Sequence, residues 1–263
     1  MKSELNWDGE TYMTANGIQS SVGEFLINTV RFSPDMSVLD AGCGSGNMTA
    51  LLAKKVPYGN VLGIDSSESM IKKANEQMAT RNVSNLKFRK CAINEIEFEE
   101  QFDLIFSNSV LHWVVEIEDG LCHLLGALKP GGSIILQFPV LNSEHPLIKY
   151  AGRAINELGF SAQYEEWEFP WYVPDNSEQF SDMMKEVGFS NVEVSMKFNL
   201  FSFSSVEAVY QHFKSVGLEL LAAPLTEEEK ESLFNRVLTD LKEDLSKEAV
   251  LRYERIFANA TKA

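Results

Sequence analysis

Between Ser37 and Pro139, short apolar runs alternate with segments whose apolar positions recur three or four residues apart. That alternation predicts a parallel sheet covered by helices. "SVLDA" (Ser37–Ala41) predicts a first strand and "NMTALLAKKV" (Asn47–Val56) the helix after it. "NVLGID" (Asn60–Asp65) predicts a second strand, followed by a helix from about Ser67 to Thr80. "LKFRKC" (Leu86–Cys91) predicts a third strand and "FDLIFSN" (Phe102–Asn108) a fourth. The next helix is expected to end at "LKPGG" (Leu128–Gly132), where proline and glycine stop it and start a fifth strand, "SIILQFP" (Ser133–Pro139).

Beyond Pro139 the rhythm changes. An amphipathic helix is expected over His145–Phe160, an aromatic and acidic loop over Tyr164–Pro174, and a helix in "SEQFSDMMKEVGF". "NVEVSMKFNL" (Asn191–Leu200) predicts a strand, and two helical segments follow, about Ser205–Leu221 and Thr226–Leu245. "YERIFANATK" closes the chain as a seventh strand. The fold class is therefore α/β, with a doubly wound, mostly parallel seven-stranded sheet. One domain over 1–263 is expected, its core at about 33–140, 175–200 and 250–263. A helical lid would come from the N-terminal arm and the insertions, about 1–30, 141–174 and 203–248.

Composition narrows the function classes. A net charge of -15 argues against nucleic-acid binding, which runs on Lys and Arg contacts to phosphate. Three scattered cysteines, Cys43, Cys91 and Cys122, make neither a disulfide framework nor a metal site, so no metal is expected and a reducing cytoplasm fits. "MKSELNWDGETY" has no apolar core of a signal peptide, and no apolar run approaches the ~18 residues that cross a bilayer. A cytoplasmic protein without a membrane partner is expected.

The chemistry concentrates in "VLDAGCGSGNMTA" (Val38–Ala50), a glycine loop between strand and helix, where a ligand can approach backbone closely. A dinucleotide fingerprint would need its third glycine at position 47, which is Asn47; the third glycine is Gly46. No "GK[ST]" follows, which removes the triphosphate P-loop. Asp40 before the loop is ill placed beside a pyrophosphate and suits an ammonium or sulfonium charge. Asp65, ending the second strand, can accept both hydroxyls of a ribose. A nucleoside carrying an amino acid and no phosphate fits both carboxylates.

"VLDAGCGSG", "GIDSSESMIKKA", "FDLIFSNSVLHWV" and "LKPGGSIILQFP" resemble, in order and spacing, the successive motifs of class I S-adenosylmethionine-dependent methyltransferases. The resemblance covers about Ser37 to Pro139 and implies a Rossmann-like fold with S-adenosylmethionine as cofactor. It places Gly42, Gly44 and Gly46 against the methionine moiety and ribose, and Asp40 is counted with them among the cofactor-binding residues. Asp65 and Ser66 fall at the ribose, and Met70 near the adenine. Ser107 and Asn108 fall at the methionine part. Where the family often has Asp and a small residue after the third strand, this chain has Cys91, Ala92 and Ile93. A thiol is a weak hydrogen-bonding group, so adenine binding there would rest on the Ala92 backbone and on packing. "LHWV" (Leu111–Val114), the arm "YMTANGIQ" (Tyr12–Gln19) and "RIFANATK" are similar to the trans-aconitate and juvenile hormone acid methyltransferase subgroup. In that subgroup the arm, here with Tyr12 and Gln19, folds over the donor, and Gln19 and Trp113 match active-site positions.

Methyl transfer is an in-line displacement, so the protein's tasks are alignment and exclusion of water. O-methylation of a small-molecule carboxylate, already ionised at neutral pH, needs no base. An amine, phenol or carbon acid would use one, with His112 as candidate. His112 can equally be a histidine that positions Trp113; Trp113 itself can touch the acceptor or pack beneath the lid. The aromatics of Tyr164–Tyr172 can line an acceptor pocket or dock a lid, and Lys149 with Arg153 can clamp a carboxylate or stay solvated. His123, His145 and His212 have no motif around them. Malonyl-acyl-carrier-protein O-methylation is a further reading, opposed by the acid-rich "LTEEEKESLF" and "LKEDLSKEA", which would repel an acidic carrier. A SAM-binding module without turnover is another alternative. Acceptor identity and oligomeric state stay open.

Overall fold

A computed structural model describes residues 17–79, 83–246 and 248–263, and the side chains of these from Ser20 onward. Seven strands form one sheet in the order β3-β2-β1-β4-β5-β7-β6. They are β1 (Ser37–Ala41), β2 (Asn60–Asp65), β3 (Leu86–Lys90), β4 (Phe102–Asn108), β5 (Leu128–Pro139), β6 (Ser190–Ser202) and β7 (Val250–Thr261). β1 pairs in parallel with β2 and β4, β2 with β3, and β4 with β5, while β7 runs antiparallel to β5. The doubly wound, mostly parallel sheet read from the sequence is what the chain forms.

The chain order turns at β1. The sheet grows one way through β2 and β3, then restarts on the other side of β1 with β4. In such sheets ligands bind beyond the carboxyl ends of the strands where the order reverses. The helices that flank it are α1 (Gly17–Thr29), α2 (Asn47–Lys55), α3 (Glu68–Ala79), α4 (Ile117–Ala127) and α6 (Ser177–Val187). Side chains alternate across the strands, so each sheet face has its own core. Leu39, Ile105, Ile134 and Leu136 pack with Leu121 and Leu124 of α4 and Phe180 and Met184 of α6. On the opposite face Val38, Leu104 and Phe106 pack with Leu26 and Ile27 of α1 and Leu52 and Ala53 of α2.

Two boundaries differ from the sequence reading. The helix does end at "LKPGG", α4 stopping at Ala127, but β5 starts at Leu128 rather than Ser133, opposite Phe102, with a register shift between Phe102 and Leu104. The backbone there is held by the chain's last residues, Gly131 N–H donating to the Lys262 carbonyl and Lys262 N–H to that of Gly132. Such long-range pairing draws the turn residues after the helix into the strand. The helix expected over Ser205–Leu221 is α7 (Val206–Phe213), one π turn (Lys214–Leu218) and α8 (Glu219–Leu221), interrupted where Gly217 takes φ 152°.

The chain divides into two compact units. The larger holds Gln19–Val140, Pro170–Lys197 and Arg255–Ala263; the smaller holds Leu141–Phe169 and Phe198–Glu254. In the smaller unit α5 (Pro146–Glu157) lies against α9 (Glu227–Asp244). α9 starts on a capping box in which Thr226 and Glu229 satisfy each other's backbone N–H groups. Arg153 of α5 and Arg236 of α9 each donate at 2.8 Å to the buried Asp240 carboxylate, and Arg153 also reaches Asp244 at 3.0 Å. Arg153 is therefore engaged inside this unit and is not the carboxylate clamp the sequence suggested; Lys149 is exposed. Replacing Asp240 by Ala leaves two guanidinium groups without their shared anion. An expected cost of about 2–3 kcal/mol, discounted because both arginine heads are partly exposed, should show as faster hydrogen exchange in α5 and α9 with β1–β5 unchanged.

Candidate active site

The Asp40-Ala41 end of β1 delivers the chain into the glycine loop, and Gly42 and Cys43 both donate N–H groups to the Ile64 carbonyl at 2.8 Å. All three glycines take positive φ, 82°, 52° and 83° for Gly42, Gly44 and Gly46. Their surroundings differ. A Cβ on Gly42 would strike the Val110 side chain at 2.2 Å, and one on Gly46 would strike the Phe88 ring at 2.5 Å. At Gly44 nothing lies within 4 Å. Gly42 and Gly46 are thus required by packing, while Gly44 faces open space.

Gly44 N–H donates to one oxygen of Asp65 at 2.9 Å, and Ser67 N–H donates to the other at 2.9 Å. Both oxygens are oriented, each keeping acceptor capacity for a second donor. A cavity of about 370 Å³ opens here. Of the residues singled out in the sequence, Gly42, Asp65, Ser66, Cys91, Ala92 and Ile93 line it, as does Trp113. Five others join them without having been foreseen: Asn94, Val110, Val114, Val115 and Glu116. The Asn94 amide donates to the Glu116 carbonyl at 3.1 Å and to Asp119 at 3.0 Å, tying the segment after β3 to the one after β4. No local pattern announces that pairing. The apolar run "VLHWVV" continuing past β4 was the available signal for the valines.

The lining carries the carboxylates of Asp65 and Glu116 and no Lys or Arg. That is the wrong electrostatics for a phosphate and suits a nucleoside without one. The Cys91 thiol points to the Ala92 and Glu95 carbonyls at 3.3 and 3.6 Å, and burial pushes its pKa up, so it stays protonated. Ala92 N–H, expected to serve a base edge, donates to the Glu95 carboxylate at 3.2 Å.

Other expected residues lie outside the cavity lining. The Met70 side chain is 42% exposed on α3. Ser107 is buried, its hydroxyl donating to the Ala41 carbonyl at 2.9 Å, which ties β4 to the start of the loop. Asn108 accepts from the Gln137 amide. His112 is buried in a short 3-10 turn (Leu111–Trp113), its carbonyl accepting from Tyr172 N–H at 2.8 Å. The Trp113 ring, 46% exposed, lies 5.2 Å from the His112 ring and 5.5 Å from that of Trp171. Tyr12, and the side chain of Gln19, lie outside the described residues. In the aromatic segment, Tyr164 donates to the Leu221 carbonyl and packs on Trp167 within the smaller unit. Trp171 and Tyr172 pack in the larger one, Tyr172 against Phe138 and Phe180. Among the described residues no group of His, Cys, Asp and Glu could hold a metal ion, and no helix is long and apolar enough to cross a membrane.

A family model for "Methyltransferase domain" matches residues 32–188, more than half of the chain. The chain belongs to the class I S-adenosylmethionine-dependent methyltransferases. It is 33% identical over 154 residues to a trans-aconitate 2-methyltransferase of Deinococcus radiodurans, covering 59% of this chain and 57% of that one. It is 32% identical over 139 residues to a malonyl-[acyl-carrier protein] O-methyltransferase of Priestia megaterium, covering 51% of this chain and 49% of that one. The chain thus spans about half the length of these relatives. The fold is shared, with a TM-score of 0.58 and 19% identity, by phosphoethanolamine N-methyltransferase 2 of Haemonchus contortus, over 92% of this chain and 52% of that one.

One acid of this methyltransferase domain behaves unusually. Asp40 is buried at 1% exposure, its carboxyl accepting from the Thr49 hydroxyl at 2.7 Å rather than facing the cavity. Burial raises its pKa to about 7; the Thr49 hydrogen bond opposes this and the charge of Asp65 adds to it. The folded state therefore holds a proton that the unfolded chain has released, so this group's stabilisation is complete below pH ~4 and lost as pH rises to ~7. Asp40→Asn should match the wild-type melting temperature at or below pH ~4 and exceed it at pH 8. The glycines make a second test, read by urea unfolding. Gly46→Ala should cost about 2–3 kcal/mol through the Phe88 clash, and Gly44→Ala about 1 kcal/mol through its left-handed backbone alone.

Proposed function

We propose that this chain transfers the methyl group of S-adenosylmethionine to a small molecule, and that the receiving atom is a carboxylate oxygen. The observation that carries the donor half is Asp65, which lines a cavity without a cation and both of whose oxygens are held by backbone N–H groups. Asp65 would accept the ribose hydroxyls, and the open face of Gly44 would admit ligand to within contact of backbone. Cys91, Ala92 and Ile93 would bound the adenine by packing, because the thiol and the Ala92 N–H are already turned to protein partners. When bound, S-adenosylmethionine supplies a methyl carbon made electrophilic by a sulfonium. The chain's own residues supply position and shelter: Trp113 and Val110 line the cavity, and the Ser107 hydroxyl ties β4 to the start of the loop.

The carboxylate half rests on the two relatives, whose names both describe methylation of carboxylic acids. It also rests on His112, which is 5% exposed with its ring against Trp113; that arrangement suits positioning of the indole more than proton transfer to bulk solvent. A carboxylate acceptor asks no base of it. A free acid is favoured over one carried by a protein, since the "LTEEEKESLF" helix presents Glu227, Glu228 and Glu229 in its first turn and the chain carries -15.

Titration calorimetry with S-adenosylmethionine and S-adenosylhomocysteine should show binding of both, lost by roughly 100-fold in Asp65→Ala, where two charge-assisted hydrogen bonds disappear. Gly44→Ala should weaken both ligands while leaving the fold intact; absence of binding by the wild type would sink the assignment. Mass spectrometry of a panel of small acids, amines, phenols and malonyl carrier protein should find methyl esters of free acids. Methylation confined to amines or phenols would refute the carboxylate choice.

A further inference from the structure

β6 ends the sheet, with β7 as its one strand neighbour among the described residues. The outer side of such a strand presents backbone N–H and C=O groups that no strand takes up. Proteins blunt it with charge, bulges or cover, because it invites another strand. β6 is 13 residues long, about twice the usual strand. Asn191, at φ 51°, interrupts its regularity at the start, so a regular pairing stretch begins at Val192. From there side chains alternate between the two faces. Val192, Val194 and Met196 lie partly buried against the core that α4 and α6 cover. Phe198 and Leu200 continue that row and are 59% and 61% exposed, with the Arg252 guanidinium over the Phe198 ring at 4.1 Å.

The other row carries Glu193 and Lys197, two exposed charges of opposite sign with Ser195 midway between them. Glu193 accepts from the Asn259 amide at 3.2 Å, and the Lys197 ammonium lies 5.9 Å from the centre of the Phe257 ring. Neither has an ion-pair partner among the described residues. A second carboxylate oxygen and three ammonium hydrogens leave both able to take one.

We propose that two copies of this chain pair along β6, edge to edge and antiparallel, about a two-fold axis through Ser195. The strand's own pattern sets that register. A two-fold pairing places residue i of one copy against residue j of the other with i + j fixed, and apolar meets apolar only when both lie on the same face. Centred on Ser195, Glu193 of each copy faces Lys197 of the other, so one sequence supplies two opposite-charge pairs. On the other face Val194 meets Met196, and Val192 meets the exposed Phe198. Centring one residue away, on Val194 or Met196, sets Glu193 or Lys197 against Ser195 and leaves every charge without an opposite. A lone lysine on an edge discourages pairing; here the glutamate four residues earlier cancels it in this one register. The charge of -15 repels copies at distance, and physiological salt screens that beyond about 8 Å while contact pairs persist. The occupant is a second copy rather than an unrelated strand, because the complementary charges belong to one sequence. The inference stands apart from the methyl-transfer reading, and its test uses no ligand.

Analytical ultracentrifugation of the full chain in about 0.15 M salt, from about 1 to 500 µM, should show a monomer that becomes a dimer. Glu193→Lys should weaken the dimer roughly ten- to thirtyfold, as should Lys197→Glu, and the two changes together should restore it. Ser195→Cys, made with Cys122→Ser because Cys122 is exposed, sets two thiols opposite each other at the axis, with Cα atoms about 4.5–5.5 Å apart. Mild oxidation should then join the copies by a disulfide. A wild type that stays monomeric throughout overturns the proposal. So does a dimer that both charge reversals leave unchanged, or one that yields no disulfide through Ser195→Cys. Circular dichroism checks the fold of each variant; should one charge reversal not fold, the other creates the same repulsion across the axis.

Discussion

Two backbone N–H groups, from Gly44 and Ser67, orient the Asp65 carboxylate, and the site depends on that constraint. One comes from the loop after β1 and the other from the entry to α3, so a single side chain ties two crossovers of the sheet together. The carboxylate gains a fixed direction without spending its full acceptor capacity. The loop gains an anchor at the one glycine whose surroundings are open. A residue with a bulkier backbone preference at position 44 would disturb both at once.

Around this anchor the structure separates roles that one glycine-rich stretch brings together in the sequence. Val110 and Phe88 fill the space that side chains on Gly42 and Gly46 would need, so these glycines serve the closeness of strand, loop and helix. Asp40, in the same stretch, is turned inward to Thr49 and titrates near neutrality because it is buried. Its charge state is therefore a matter of folding energetics as much as of ligand. The cavity's own charge comes from Asp65 and Glu116, and this acidity is what separates a nucleoside site from a phosphate site.

The far end of the sheet contributes a different kind of chemistry. β7 runs back antiparallel beside β5 and so delivers Arg255 to the edge where the parallel strands end. A residue near the end of the chain thereby meets Ser109 and Gln137, 146 and 118 positions earlier in the numbering. Lys262, just past that strand, holds the start of β5. One antiparallel strand thus holds the carboxyl end of β5 along its length.

The order of elements along the chain, the doubly wound class and the glycine loop were legible in the sequence, because apolar periodicity and glycine spacing act over a few residues. Asp65, Cys91–Ile93 and Trp113 were found this way, each sitting at the end of a strand whose period was clear. Asn94 and Glu116 were not, since Asn94 is tied to a segment that folding brings to it and no local pattern records the pairing. The same reason explains "LKPGG", whose proline and glycines announce a helix end and also pair with Lys262 as strand. It explains Arg153, which looked solvent-facing beside Lys149 and is taken up by Asp240. Local sequence determined which elements form and where the donor loop lies, through steric and hydrophobic rules of short range. Tertiary structure alone decided which glycine stays open, which acid is buried and which arginine loses its water, because each depends on the neighbours that folding brings.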